Sequence, residues 1–315
     1  MKKVARVFLV TYRYDLANLI VCLASIRYWY PHLEITVIKN HNEGDFQIGF
    51  IAKYFNVSIV ESPHANYGKY YGSLEPYLTG RDERFLVMDT DTAFAGPVLD
   101  LLEARSADFV VDREVQPECR LRELYWDPDR IGDYIPEYSS TWFTFNNGAI
   151  CGTGNRMTRS DFADFMTWVD GAQPVMKDAA VFPGADMTAI NVVINRKAVR
   201  KEIDVDRVEL MIYPPFYRGS EADLVRGIAE RTSSEVRIIH WANQKHRPLA
   251  TRPLGRVYEF YWGWFLSGIG ISQRIRVITR LKYLEIERYA CGLARHLRVR
   301  VARALGTMPQ RRRAG

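Results

Sequence analysis

The sequence is poor in cysteine, and it has no long apolar run, internal repeat or low-complexity tract. Its cysteines are Cys22, Cys119, Cys151 and Cys291. They are scattered and form no C-x-x-C pair, which argues against a disulfide scaffold and favours reduced thiols. No stretch approaches the roughly 18 consecutive apolar residues of a membrane span, and the run Val7 to Val10 is too short for a secretory signal core of about 7–15 residues. We therefore expect a cytoplasmic protein without a spanning helix.

Positive charge is concentrated in one part of the chain. The formal net charge is +6, but residues 273–315 contain 12 of the 43 Lys and Arg and only 2 of the 37 Asp and Glu. Residues 1–272 are therefore slightly acidic. This acidic body and the lack of a recognition motif argue against nucleic-acid binding. The basic tail and the body need separate explanations.

Short β-branched or aromatic runs alternate with longer amphipathic runs through the first half of the chain. The predicted strands there are Val4–Thr11, Leu33–Ile38, Val57–Val60 and Phe85–Met88, and the predicted helices are Leu16–Trp29, Asp45–Phe55 and Tyr67–Leu78. This alternation predicts an α/β fold with a mostly parallel central sheet flanked by helices, as in nucleotide-binding domains. Ligands of such sheets bind outside the carboxyl ends of the strands.

The pattern after Pro97 is less regular. It predicts a helix over Val98–Ala104, strands over Asp108–Val111, Trp142–Cys151 and Val236–His240, a loop-rich region near 113–140, and helices near 159–170 and 185–195. We expect a single catalytic domain over residues 1–250 and a separate aromatic and basic region over residues 251–315.

Two carboxylates follow the apolar strand Phe85–Met88, in the order Asp89, Thr90, Asp91. Ionising two carboxylates this close together is costly unless a cation lies between them. Mg²⁺ or Mn²⁺ would take one or two of these carboxylates and complete its shell with phosphate oxygens and water. The alternative is a solvated turn, since Asp and Thr also favour turns.

Several segments around this pair resemble glycosyltransferase family 8, which includes lipooligosaccharide galactosyltransferases. The segments are Ala65–Lys69 before the acidic strand, Phe145–Gly148 (F-N-N-G), Asp186–Asn191 (D-M-T-A-I-N) and Ile238–His240 followed by Lys245, Arg247 and Pro248. The resemblance covers roughly residues 4–250. It implies a GT-A fold, which is a Rossmann-like nucleotide-diphospho-sugar transferase fold, and a metal-dependent transfer from a nucleotide sugar, with uridine favoured as the base.

Residue by residue, the resemblance implies a metal site, a donor site and a catalytic pocket. The metal ligands would be Asp89, Asp91 and His240, a mixed oxygen and nitrogen set that suits Mn²⁺. The donor contacts would be Thr11, Tyr12, Asp15, Lys69, Thr90, Lys245 and Arg247. Asn146 and Asp186 would line the pocket for the donor sugar and the acceptor. Without the resemblance, the simpler interpretation is that His240 is an ordinary hydrogen-bonded histidine and that Lys245 and Arg247 are solvated charges.

The sequence departs from the family pattern beside Asp186. Met187 stands where the family has glutamine, and Thr188 replaces the next acid. A thioether can neither attack nor stabilise an anomeric carbon as the amide is proposed to do. Family resemblance favours retention of anomeric configuration, whereas Asp186 acting as a general base would give inversion. Both outcomes stay open at this point.

The tail has an aromatic cluster followed by a basic, amphipathic segment. The cluster runs from Tyr258 to Leu266, and beyond it Leu293, Leu297, Val301 and Leu305 recur every four residues among arginines. This pattern is typical of a helix that binds an anionic membrane surface, and it predicts a peripheral position on the inner face of the membrane. The alternative is packing on the body or on a second copy in a homo-oligomer.

Three functions compete. The first is transfer of a sugar to a glycan or lipid-linked glycan in surface polysaccharide or lipopolysaccharide synthesis. The second is a phosphatase of the haloacid-dehalogenase type, which also places D-x-D after an apolar strand. Two features argue against it. That class has Thr or Val two residues after the second Asp, where this chain has Ala93, and it usually carries its motif near the N-terminus. The third is a binding protein that kept the fold and lost the catalytic activity. The replacement of the family glutamine by Met187 is the reason to consider it.

Overall fold

The computed structural model describes residues 2–40, 44–61, 71–114, 116–169, 174–242, 244 and 247–304. The strands described are β1 (Arg6–Thr11), β2 (Glu34–Lys39), β3 (Ser58–Glu61), β4 (Arg84–Asp89), β5 (Thr92–Phe94), β6 (Phe109–Asp112), β7 (Ala149–Thr153), β8 (Met166–Thr167), β9 (Val175–Met176), β10 (Val205–Val208), β11 (Met211–Ile212) and β12 (Ile238–His240). The helices are α1 (Leu16–Trp29), α2 (Gly49–Phe55), α3 (Glu75–Leu78), α4 (Val98–Glu103), α5 (Glu118–Leu124), α6 (Ala185–Val199), α7 (Glu221–Ala229), α8 (Gly255–Ser267) and α9 (Ile271–Ala304).

Seven strands form the main sheet in the order β10-β6-β7-β4-β1-β2-β3. The pairs β10–β6, β4–β1, β1–β2 and β2–β3 are parallel, and only β7 runs antiparallel to its neighbours, β4 and β6. The predicted α/β class and the mostly parallel sheet are confirmed. Because β4 and β6 run the same way, their last residues, Asp89 and Asp112, lie at the same edge of the sheet.

A second sheet of three short strands, β11-β12-β5, carries the other part of the site. Strand β5 follows Asp91 directly and pairs antiparallel with β12, so that Thr92 lies opposite His240. Helix α1 is buried over most of its length, and its Ser25 hydroxyl accepts a hydrogen bond of 3.0 Å from the backbone N–H of Phe94. Helix α1 therefore supports the strand that follows the two aspartates.

The boundaries of several elements differ from those predicted. Helix α1 has its predicted bounds, but α2 begins at Gly49 rather than Asp45 and α5 lies in the region predicted as loop. Strand β7 begins at Ala149 rather than Trp142. The helix predicted near 159–170 is wrong: its place is taken by a 3-10 turn at Arg159–Phe162 and by β8. For the helix predicted over Tyr67–Leu78, the described part contains a 3-10 turn over Tyr71–Leu74 and then α3.

The chain forms two compact units, Met1–Phe265 and Leu266–Gly315. The first unit includes most of the aromatic cluster, because α8 packs inward along one face. The Tyr261 hydroxyl donates a hydrogen bond of 2.6 Å to the carbonyl of Phe94 and accepts one from the indole of Trp29. The ring of Phe265 stacks on Phe55. Part of the aromatic cluster therefore belongs to the core.

Within the second unit, α9 is a single long helix. No helix in the described part of the chain is long and apolar enough to span a membrane. The backbone of Leu293, Leu297 and Val301 is helical, and Leu305 lies outside the described residues.

Candidate active site

Asp89, Asp91 and His240 meet at the carboxyl edge of the main sheet. One ligand atom from each lies within 4.8 Å of the other two. His240 Nε2 is 3.5 Å from Asp91 Oδ1 and 3.8 Å from Asp89 Oδ2. Asp91 and His240 are buried, whereas about half of the Asp89 side chain is exposed. The triad is therefore closed on the protein side and open where a ligand would approach.

Short backbone and side-chain hydrogen bonds hold the three groups together. The N–H of Trp241 donates to the carbonyl of Asp91 at 2.9 Å, which continues the pairing of β12 with β5. The Thr92 hydroxyl donates to the carbonyl of Asp89 at 2.6 Å and so closes the turn. Residues about 150 positions apart in sequence thus become neighbours through strand pairing.

The charges of the triad favour a bound cation. Burial disfavours the charged form of His240, but the hydrogen bond that its ring N–H donates to Asp91 and the charges of Asp91 and Asp89 outweigh this effect, so the pKa of His240 lies above its usual value of 6.5. A proton therefore binds where the carboxylates concentrate negative charge. The donor set of two carboxylates and one imidazole matches Mn²⁺, and it also offers the carboxylate oxygens that Mg²⁺ takes.

Gly148 gives the imidazole the space it occupies. A Cβ atom at position 148 would lie 2.3 Å from His240 Cε1 and 2.5 Å from Nδ1. The side-chain oxygen of Asn146 accepts a hydrogen bond of 2.8 Å from the N–H of Gly148, and the carbonyl of Gly148 accepts one of 3.0 Å from the N–H of Asp89. The F-N-N-G segment therefore forms the wall against which the predicted metal ligand rests.

We expect Gly148→Ala to weaken Mn²⁺ binding by about 10–100-fold, the range for loss of support behind a metal ligand. The added methyl group must displace the imidazole of His240, because the backbone of Gly148 is itself held by the hydrogen bond from the N–H of Asp89. Mn²⁺ titration followed by calorimetry measures the change. Gly132→Ala is the matched control, because a Cβ atom there meets nothing within 4 Å. Unchanged Mn²⁺ affinity in Gly148→Ala would contradict the role of His240.

Asp186 begins the first turn of α6 in a strained and partly buried position. Ala185 has a φ of 48°, a left-handed conformation that is costly for a residue with a side chain. The Ser73 hydroxyl donates to Asp186 Oδ2 at 2.8 Å. Burial, aided by the nearby charge of Asp89, raises the pKa of Asp186 to about 7, against the hydrogen bond from Ser73. A carboxyl group with this pKa exchanges a proton readily near neutral pH.

Thr188 supports this turn rather than the pocket. Its hydroxyl donates to the carbonyl of Tyr125 at 2.5 Å and accepts from the N–H of Gly184 at 2.9 Å. A Cβ atom at Gly184 would lie 1.7 Å from the carbonyl oxygen of Leu124. The threonine that replaces an acid of the family pattern therefore fixes the start of α6 against the preceding segment.

Two buried asparagines one turn apart on α6 bind the segment that leads to Asn146. Asn191 Oδ1 accepts from the N–H of Phe145 at 3.0 Å, and its Nδ2 donates to the carbonyl of Phe145 at 3.0 Å. Asn195 makes the same pair of contacts with Phe143, at 3.0 and 2.8 Å. These amide side chains replace the pairing that a neighbouring strand would give. They fix Asn146 relative to Asp186, because both attach to α6.

We expect Asn191→Leu to lower the free energy of unfolding by about 2–4 kcal/mol, because it leaves the buried N–H of Phe145 without a partner and its carbonyl with only the 3.4 Å hydrogen bond from the Tyr125 hydroxyl. Urea denaturation measures this loss. Asn195→Leu should cost a similar amount of stability but affect kcat less, since it releases Phe143 rather than the residue next to Asn146. Equal effects of the two variants on kcat would argue against positioning of Asn146 by Asn191.

A buried acid beside the triad is a feature that the sequence analysis missed. Asp112 ends β6, and its Oδ1 accepts hydrogen bonds of 2.9 Å from the N–H groups of Leu210 and Met211, while its Oδ2 accepts from the Tyr213 hydroxyl at 3.2 Å. Burial raises its pKa against these hydrogen bonds. The Tyr213 ring lies 6.0 Å from the His240 ring. The signal was available, because Asp112 follows a predicted strand just as Asp89 does.

The residues expected to contact the donor lie at different depths. Thr11 and Asp15 are buried near the carboxyl end of β1, with Tyr12 half-buried between them, and Thr90 is buried between the two aspartates. Arg247 is exposed, and its carbonyl accepts a hydrogen bond of 3.0 Å from Arg252. Lys69 and Lys245 lie outside the described residues, as do the other members of the segment Ala65–Lys69.

Comparison with solved structures identifies the fold. The apo structure of WbbM, a bifunctional glycosyltransferase, superposes with a TM-score of 0.51 over 83% of this chain, at 11% sequence identity. This chain has the GT-A fold. The predicted GT-A fold is confirmed. The chain spans half of the length of WbbM.

Two further glycosyltransferase structures are similar to this GT-A chain. The galactosyltransferase LgtC, in complex with donor and acceptor sugar analogues, has a TM-score of 0.49 and 13% identity, over 82% of this chain and 95% of LgtC. GlyE of Streptococcus pneumoniae TIGR4 has a TM-score of 0.48 and 13% identity, over 92% of this chain and 64% of GlyE. Searches of protein-family profiles and of curated protein sequences find no match.

Proposed function

We propose that this protein transfers a sugar from a nucleotide-diphosphate sugar, with UDP as the favoured nucleotide, to a glycan or lipid-linked glycan, in a reaction that depends on Mn²⁺ or Mg²⁺. The observation that carries the proposal is the convergence of Asp89, Asp91 and His240, at the carboxyl edge of a GT-A sheet, within electrostatic range of Asp186. Ligands of parallel α/β sheets bind at this edge. Surface polysaccharide or lipopolysaccharide synthesis is the setting we propose.

Asp89, Asp91 and His240 would hold the metal ion, which when bound neutralises the charge that grows on the diphosphate leaving group. The half-exposed Asp89 carboxylate lies on the open side, where the diphosphate would reach the ion. Thr11, Tyr12 and Asp15 lie at the end of β1, where the base and ribose would bind. We assign Lys69, Lys245 and Arg247 to binding of the donor through their positive charges.

We assign to Asp186 the role of general base toward the acceptor. Its pKa of about 7 allows the carboxylate to accept the proton of the attacking hydroxyl and to release it to water. Asn146 lies in the wall beside His240 and would orient the donor sugar through its amide N–H groups, since its oxygen binds Gly148. Met187 offers no nucleophile, which supports direct displacement by the acceptor with inversion at the anomeric carbon.

Release of UDP from UDP-sugars tests the proposed function. We expect UDP release to require Mn²⁺ or Mg²⁺ and to stop on addition of EDTA. A panel of UDP-sugars with the full chain identifies the donor, because a correct acceptor accelerates release above slow hydrolysis. Binding of UDP-sugars without any release would favour a binding protein. Metal-dependent phosphate release from simple phosphomonoesters would favour the phosphatase alternative.

We also propose that the C-terminal region, residues 251–315, places this enzyme on an anionic membrane surface at the inner face. Helix α9 carries an exposed apolar stripe with helical spacing. Its members and their exposed fractions are Ile271 (74%), Ile275 (60%), Ile278 (38%), Ile286 (69%) and Tyr289 (76%). Arginine and lysine residues are frequent on the same helix. Exposed apolar side chains among basic ones suit the boundary between lipid headgroups and acyl chains.

We expect deletion of residues 273–315 to abolish most binding to anionic liposomes while leaving UDP-sugar binding in place. Replacement of Arg276, Arg280 and Lys282 by glutamine is the milder variant, and it should weaken binding about 100-fold, at about 1 kcal/mol for each charge near the surface. Liposome sedimentation measures both. Undiminished binding by the glutamine variant would contradict the membrane proposal. A dimer that dissociates on deletion would favour packing between copies.

A further inference from the structure

An open hollow of about 380 Å³ lies beside the ends of β6 and β10. Four arginines line it: Arg105, Arg113, Arg207 and Arg237. Two carboxylates, Glu209 and Glu235, and the apolar side chains of Leu101, Val208 and Val236 complete its wall. We call this hollow the arginine pocket.

Three of the four arginines have no acidic partner among the described residues. Arg237 is neutralised, because it binds both oxygens of Glu235 at 2.6 Å and lies 3.7 Å from Glu209. Among the residues that the structure describes, no carboxylate lies within 4.0 Å of the guanidinium of Arg105, Arg113 or Arg207. The pocket therefore keeps an excess of positive charge, which attracts an anion.

Arg207 is held in place before any ligand arrives. Its guanidinium lies 4.7 Å from the centre of the Phe143 ring, and its Nη2 donates to the carbonyl of Glu114 at 3.1 Å. Arg113 Nη2 donates to the carbonyl of Arg207 at 3.1 Å. Burial and the nearby Arg113 lower the pKa of Arg207, as expected where like charges meet. An anion between the two guanidinium groups would relieve this repulsion.

The arginine pocket is separate from the metal triad. It lies at the carboxyl ends of β6 and β10, which belong to the same main sheet as β4. Arg113 directly follows Asp112 at the carboxyl end of β6, and Arg207 pairs with Val111. Strand β6 is two strands away from β4, and β10 is three. At about 4.8 Å for each strand, the pocket lies roughly 10–15 Å from Asp89 along the sheet. A ligand in the pocket would therefore not contact the bound ion directly.

We propose that the arginine pocket binds the phosphate or carboxylate group of an acidic sugar in the acceptor glycan. The guanidinium groups supply paired N–H donors for either group, and Leu101, Val208 and Val236 offer apolar surface to the ring that carries it. The assignment to the acceptor rests on the proposed function, whereas recognition of the acidic group does not.

Binding of small acidic sugars to the full chain, in EDTA and without donor, tests the inference. The probes are glucose 6-phosphate, glucuronate, inorganic phosphate and glucose, followed by calorimetry or by NMR of the ligand. We expect both acidic sugars to bind at least tenfold more tightly than glucose, and their binding to weaken as salt screens the charges. Comparing the two acidic sugars with inorganic phosphate distinguishes an acidic sugar from free phosphate as the ligand.

The double variant Arg105→Gln and Arg113→Gln removes two of the unpaired charges without touching the metal triad. We expect it to weaken binding of the acidic sugars about 10–100-fold, and Arg81→Gln, at the opposite edge of the sheet, to leave it unchanged. Equal binding of glucose and the acidic sugars, or unchanged binding in the double variant, overturns the inference. Because no step of transfer is measured, a failure of the proposed function appears only in the UDP-release assay.

Discussion

Asp91→Asn is expected to lower kcat/KM for UDP-sugars by about 10²–10³, which corresponds to about 2–4 kcal/mol of transition-state stabilisation. The substitution removes one of two carboxylates from the triad. It should not disturb the fold, because the contact of Asp91 with Trp241 is made by its backbone carbonyl. Initial rates of UDP release at saturating Mn²⁺ measure the effect.

The same variant should lose the stabilisation that Mn²⁺ gives to the folded protein. A ligand that binds only the native state raises the midpoint of thermal unfolding by mass action. Asp82→Asn is the matched control, because Asp82 is exposed and lies just before β4, at the opposite edge of the sheet. Near-normal turnover of Asp91→Asn, with Mn²⁺ still required, would remove Asp91 from the metal site.

Asp186→Asn is expected to reduce kcat for transfer by about 10²–10⁴, the usual range for loss of a general base. Donor affinity should change little, because the metal triad stays intact. In the unaltered protein the rate should rise with pH through about 7 and then level off, as the carboxylate forms. Steady-state kinetics between pH 5 and 9 should show that this rise is absent from the residual activity of the variant.

The raised pKa of Asp186 also predicts a change in stability. The folded protein holds a proton on Asp186 up to about pH 7, whereas the unfolded chain loses it near the ordinary value of 3.8. The resulting stability is present at low pH and is lost as pH rises through about 7. In the absence of metal, Asp186→Asn should therefore be more stable than the unaltered protein at pH 8. Equal or lower stability there would contradict the raised pKa.

The stereochemistry of the product decides the role of Asp186. If it is a general base in a direct displacement, the new glycosidic bond has the opposite anomeric configuration to the donor. NMR of the anomeric proton of the product distinguishes the two outcomes. Retention of configuration, with activity left in Asp186→Asn, would overturn the general-base assignment. It would favour the retaining mechanism of glycosyltransferase family 8, operating without the glutamine that Met187 replaces.

The sequence predicted the parts of the molecule that local pattern controls. Helix α1 has its predicted bounds, and the run that ends at Asp89 forms a buried strand, because apolar runs of this length are typical of buried elements. The fold followed from the alternation of elements together with the family resemblance. The structure brings together Asp89, Asp91 and His240, and their roles stay a prediction until metal binding is measured.

Elements that depend on distant partners were not predictable in the same way. The strand predicted over Trp142–Cys151 starts late because Asn191 and Asn195, about 46 to 52 residues further on, take the hydrogen bonds of its first part. The helix predicted near 159–170 is wrong because Met166 and Thr167 pair as a strand with Met176 and Val175 further along the chain, which local helical propensity does not report. Strands β5 and β11 are too short to give a signal.

Binding of UDP to the full chain with and without Mn²⁺ shows whether the triad of Asp89, Asp91 and His240 holds a metal ion that in turn holds a diphosphate. Calorimetry is carried out in Mn²⁺ and again in EDTA, with His240→Ala as the variant that removes the nitrogen ligand. We expect that UDP binds in Mn²⁺, that its affinity falls at least tenfold in EDTA, and that His240→Ala abolishes the difference. UDP binding of equal strength in Mn²⁺ and EDTA, or a Mn²⁺ dependence that survives in His240→Ala, would contradict this expectation.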